Sequence, residues 1–173
     1  MTCIDVTEER EVEYVYIKDV YNVANVVQFD IVKPEGIEDV WLSVQSSKLP
    51  TVIIGCLYRH PKSLLCSYDY ITDVIKSVSL KNKSFYVLGD FNDDLLSNNS
   101  KLKKILANAK LSQIITKATR ITPSSAILLD IIVTNNSQSI IHSDVIPCPV
   151  ADHELITVTV NLRKPRRVPI FKT

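Results

Sequence analysis

Apolar residues fall along the chain in short, separated runs of two kinds. Runs rich in Val, Ile and Tyr predict strands at Tyr14–Ile17, Val23–Val32, Val40–Val44, Thr51–Tyr58, Ser84–Leu88, Ile127–Thr134, Ile140–Ile146 and Leu155–Leu162. Val52-Ile53-Ile54 and Ile131-Ile132-Val133 are continuously apolar, the pattern of strands buried on both faces. Thr157-Val158-Thr159-Val160 alternates, which predicts one wet face. Two other segments repeat at helical spacing: Ile71, Val74, Ile75 and Val78, then Leu102, Ile105, Leu106 and Ala109, the second with Ser100 as its cap. Helices set among buried strands predict an α/β fold, helix layered on sheet. Neither a repeat nor a Pro/Gly/Ser-rich linker divides the chain.

Composition narrows the class. A hydrophobic fraction of 46% over 173 residues suits one packed domain and argues against disorder. No apolar run approaches the roughly 18 residues of a membrane span, and the start, Met1-Thr2-Cys3-Ile4-Asp5, has no signal-peptide pattern. Four cysteines without a CxxC pair exclude a standard zinc framework and read as reduced thiols of an intracellular protein. Three glycines, where average usage gives about twelve, exclude a Gly-rich phosphate loop. Charge is uneven. Residues 1–40 carry ten acids and three bases, and the remainder seventeen bases and nine acids. Arg163, Lys164, Arg166, Arg167 and Lys172 crowd the last eleven residues, a solvated tail or a non-specific contact for nucleic-acid phosphates.

Four strand ends carry groups that could do chemistry. The run Ser84–Leu88 ends in Gly89-Asp90-Phe91-Asn92, where a glycine turns the backbone and a carboxylate reaches the sheet rim. Asp90 and Asn92, two apart, share a side if the chain stays extended, and suit a metal-bound water and a phosphate oxygen; the same letters also suit an ordinary turn. Asp152-His153 leads into the last strand, offering an oxygen ligand for a hard cation and a group that titrates near neutrality. Asp130 sits in an apolar strand, where a carboxylate is costly without a partner. A histidine is the natural one, so Asp130 and His153 are expected to be hydrogen-bonded. Tyr58-Arg59-His60-Pro61 ends another strand with a phenol and a guanidinium, suited to a phosphate rim or to a snorkelling surface pair.

In this order the motifs resemble the endonuclease/exonuclease/phosphatase superfamily, and more narrowly the apurinic-endonuclease-like domain of non-LTR retrotransposons. Trp41-Leu42-Ser43-Val44, Ile54-Gly55-Cys56-Leu57-Tyr58-Arg59, Thr119-Arg120-Ile121-Thr122 and Val145-Ile146-Pro147 add to the likeness, which runs from Val40 to Val160. The resemblance implies a four-layer sandwich of two mixed β-sheets flanked by helices. It implies hydrolysis of a DNA phosphodiester with Mg²⁺ or Mn²⁺, no membrane partner, and a reverse transcriptase domain in the parent element. By motif, Asp90 would position or deprotonate water and Asn92 would hold that water or a phosphate oxygen. Asp152 would join the metal site, and His153, oriented by Asp130, would stabilise phosphorane charge. Tyr58 would contact the scissile phosphate, and Arg59 and Arg120 would bind nucleic acid.

Two departures stand out. Ala151 replaces the family's Ser or Thr before Asp-His, and no strand carrying the family's Asn and metal-binding Glu is recognisable ahead of Glu13. Residues 1–13, with Glu8, Glu9, Glu11 and Glu13, are therefore expected to be a solvated acidic leader, 14–162 a partial catalytic domain missing its first strands, and 163–173 a basic tail. The expectation is an intracellular protein, the nucleus included, with weak or absent nicking. A non-catalytic nucleic-acid-binding remnant and a phosphatase of the same superfamily are the alternatives.

Overall fold

The computed structural model describes residues 2–6, 13–17, 22–46, 49–81 and 83–162. In chain order the elements are β1 (Thr2–Val6), β2 (Glu13–Ile17), β3 (Asn22–Val26), β4 (Ile37–Ser46), β5 (Leu49–Arg59), α1 (Cys66–Ser79), β6 (Ser84–Asp90), α2 (Lys101–Asn108), β7 (Ser112–Gln113), β8 (Arg120–Thr122), β9 (Ser125–Ile127), β10 (Asp130–Thr134), β11 (Ile140–Ile146) and β12 (Leu155–Val160). Six strands form one mixed sheet in the order β3-β4-β5-β6-β10-β7, in which β5 and β6 are parallel and joined through α1. The pairs β8–β9, β11–β12 and β1–β2 are antiparallel two-stranded sheets.

Side-chain alternation sorts the large sheet into two faces. On one face Trp41, Ile53, Leu57, Phe85, Val87, Ile131 and Val133 pack against Ile71, Val74, Ile75 and Val78 of α1 and Leu102 and Leu106 of α2. On the other, Val40, Leu42, Val44, Val52 and Tyr86 are covered by Ile140 of β11 and by Val160 and Leu162. Helix, sheet and a second, smaller sheet thus stack in that order. Ser100 caps α2 as expected, accepting from the Lys103 amide. Gly55 lies across from Trp41 in the β4–β5 register, and the indole occupies the space a Cβ would need.

Three differences from the sequence expectations have local causes. Thr2–Val6, expected in a leader, forms β1 against β2, whose first residue is Glu13. Glu8, Glu9, Glu11 and the basic tail lie outside the described residues. The run Val23–Val32 stops as a strand at Val26; the Val27 amide still donates to the Trp41 carbonyl, and Val27, Phe29 and Ile31 tuck against the core. The run Ile127–Thr134 breaks between β9 and β10, because Leu128 and Leu129 direct their backbone bonds to Leu95, Phe91, Asp94 and Thr119.

Candidate active site

β6 and β10 are neighbours, and their register places Asp90 opposite Asp130. Two carboxylates thereby share one face at the sheet rim. The next residue past the β6 strand, Phe91, is buried and its amide bonds to the Leu129 carbonyl, which holds the turn down. Gly89 does more than turn the backbone. Its φ is +142°, and a Cβ there would lie 1.9 Å from the Leu57 carbonyl oxygen, so only glycine lets β5 approach β6 so closely.

His153 closes the group. A single antiparallel bridge pairs it with Arg120, and the Glu154 amide donates to the Thr119 carbonyl. Its Nδ1 lies 2.8 Å from Asp130 Oδ2, so the expected Asp130–His153 pair is formed. Asp90, Asp130 and His153 offer ligand atoms that all fall within 4.8 Å of one another. Burial, and beyond it the Asp130 charge, hold the Asp90 carboxyl above its ordinary value; the Asn92 amide, His153 and Arg120 pull the other way. Like charges held this close in a half-buried site suit a hard divalent cation, which takes carboxylate oxygens readily. Asp90 and the Asp130 oxygen not bonded to His153 are the residues that would hold it.

Asn92 lies beside Asp90 through the turn that the same letters also suit, not through an extended chain, and its donors are committed. The Asn92 backbone amide donates to Asp90 Oδ1 at 2.8 Å, and its side-chain Nδ2 donates to Asp90 Oδ2 at 3.1 Å and to the Arg59 carbonyl at 2.9 Å. The left-handed φ of +46° that makes this possible is one asparagine tolerates. Only its side-chain carbonyl remains for a ligand, which suits a water and not a phosphate oxygen.

Arg59 is placed differently from the rim contact expected of it. It is 5% exposed. Its Nε donates to Ser67 Oγ, one terminal nitrogen donates to the carbonyls of Phe91 and Asn92, and its plane stacks 4.4 Å from the Tyr68 ring. Arg59 is a strut under the Asp90–Asn92 turn. Asp152 stands outside the carboxylate group: its Oδ2 accepts from Arg120 Nε at 3.0 Å. Tyr58 is half-buried and pairs with Glu38 across β4–β5. Extending the parallel Cys56–Leu88 register by two residues puts Tyr58 level with Asp90. Glu38, Tyr58, Asp90 and Asp130 therefore form a row across four adjacent strands on one face.

Thr119 carries a function the motif did not reveal. It is fully buried, and its hydroxyl accepts from the amides of Leu129 and Asp130 at 3.1 and 2.9 Å. It fixes the start of β10 and with it the Asp130 carboxylate.

No protein-family model and no curated protein matches this sequence. Solved structures do match in fold. The endonuclease domain of TRAS1, a telomere-specific non-LTR retrotransposon, superposes with a TM-score of 0.69 at 17% identity, over 94% of this chain and 79% of that one. A mannosyl-6-phosphatase of Bacteroides thetaiotaomicron gives 0.63 at 13% identity, over 92% and 76%. An endonuclease/exonuclease/phosphatase family protein of the same organism gives 0.61 at 15%, over 91% and 73%. The chain has the fold these proteins share. Among the described residues no helix is long and apolar enough to cross a membrane.

Proposed function

We propose that this endonuclease/exonuclease/phosphatase fold serves as a divalent-metal-dependent phosphodiesterase on DNA, of the kind that nicks target DNA for a non-LTR retrotransposon and works beside a reverse transcriptase. The observation that carries the reading is the Asp90–Asp130–His153 group at one rim of the sheet. Mg²⁺ or Mn²⁺ bound there supplies charge neutralisation and a more acidic water. Asp90, whose carboxyl is held above its ordinary value by burial, is matched to accept a proton from the attacking water. Asn92 fixes the rotation of that carboxylate through two hydrogen bonds. Asp130 holds the His153 Nδ1–H, which fixes the tautomer and leaves Nε2 for a phosphate oxygen. Tyr58, level with Asp90, would contact the same phosphate.

The test is nicking of supercoiled plasmid by the purified chain with Mg²⁺ or Mn²⁺, expected to be weak because strands carrying the family's Asn and Glu are not recognisable in the sequence. His153→Ala and Asp90→Ala should each lower nicking by about 10²- to 10⁴-fold, the usual weight of a general acid–base group, and EDTA should abolish it. Nicking that survives both substitutions would refute the assignment. Turnover of a sugar phosphate with DNA left intact would favour a phosphatase instead.

A further inference from the structure

We infer that Arg120 is a positioning residue that holds Asp152 away from the cation group, and that a DNA phosphate engaging Arg120 frees Asp152 to join it. This inference rests on the metal-dependent reading above. Each partner is suited to a ligand that the other now replaces. A guanidinium is built for phosphate and a carboxylate for a hard cation, yet Arg120 Nε and the terminal nitrogen Nη2 both lie 3.0 Å from Asp152 Oδ2. While the pair is closed, two of the three guanidinium nitrogens and one carboxylate oxygen are engaged, and the Asp152 carboxylate is held towards Arg120.

The backbone around the pair is tied down on both sides. Arg120 is bridged to His153, and the Glu154 amide donates to the Thr119 carbonyl at 2.7 Å. The Glu154 carboxylate accepts from the Cys148 amide at 2.6 Å, closing the loop that carries Asp152. One peptide separates Asp152 from His153, so its Cα is about 3.8 Å from that of a residue in the group. With Arg120 40% and Asp152 64% exposed, the pair is of the surface kind that is weak and opens readily. DNA and metal would then bind cooperatively, each favouring the open arrangement, and the coupling must be reciprocal.

The experiment measures Mn²⁺ affinity of the DNA-free chain by calorimetry or electron paramagnetic resonance. Arg120→Ala should tighten Mn²⁺ binding by about threefold to fivefold, the most that a surface ion pair can hold back. Arg120→Lys, which keeps an ion pair, should bind as the wild type does. The double variant Arg120→Ala/Asp152→Asn should lose the tightening. Tightening that persists in the double variant would assign the effect to simple charge removal and overturn the inference. So would an Arg120→Ala affinity within twofold of the wild type. Mn²⁺ binding indifferent to Asp90→Asn would instead overturn the metal reading itself, and this inference with it.

Discussion

Replacing Thr119 by valine keeps the shape of a fully buried side chain and removes one oxygen. That oxygen accepts two backbone amides, those of Leu129 and Asp130. No cavity forms, so the cost is that of leaving one buried and one half-buried donor unsatisfied. At about 1–3 kcal/mol for each, Thr119→Val should destabilise the domain by about 2–6 kcal/mol. Whole domains are stable by only about 5–15 kcal/mol, so the loss is large. Thr119→Ser keeps the acceptor and gives up one methyl, at about 0.8 kcal/mol. Trp41, the single tryptophan, is 3% exposed and reports unfolding by its fluorescence. In urea the valine midpoint should fall by about 1 M or more, given slopes of about 1–3 kcal/mol per molar, and the serine midpoint only slightly. Equal midpoints for the two variants would refute the assignment of the hydroxyl as the anchor of β10.

Three other outcomes follow from the same geometry. Asp90 holds its proton to higher pH when folded than when unfolded, so its contribution is complete below the ordinary carboxylate pKa of about 3.9 and is lost as pH rises through the folded value. Asp90→Asn should therefore raise Tm at neutral pH and flatten the decline with pH, as thermal melts across that window will show. Arg120→Gln should lower the slope of log affinity for DNA against log salt by about 1, whereas Arg59→Lys, buried under the turn, should leave the slope unchanged while lowering Tm. Gly89→Ala should cost more than the about 1–3 kcal/mol of a strained φ, because the added Cβ meets the Leu57 carbonyl; a Tm within a few degrees of wild type would contradict the close approach of β5 and β6.

Features set by local chemistry were legible in the sequence. The fully apolar run Ile131-Ile132-Val133 is a buried central strand, the helical spacing over 71–78 and 102–109 marks α1 and α2, and Ser100 caps the second. The Asp130–His153 pair was legible too, because a carboxylate within an apolar strand requires a partner. What escaped the sequence depends on residues far apart along the chain. Arg59 looks like a rim cation until the carbonyls of Phe91 and Asn92 are brought beneath it. Asp152 looks like a ligand until β8 delivers Arg120 to it. Thr119 looks like any strand residue until β10 starts beside it. The hairpin β8–β9 is too short, at three residues a strand, for periodicity to register.

The order in which the chain supplies the site has a consequence for its synthesis. Asp90 and Asp130 belong to the large sheet, but the histidine that completes them lies just ahead of β12. Synthesis runs from the N-terminus, so the chain reaches Thr134, the end of β10, before it reaches His153. The strands of the large sheet and α1 are therefore all synthesised before His153. The group that could hold a cation would be completed only after the strands of the large sheet, so a chain stalled before His153 would lack its third member.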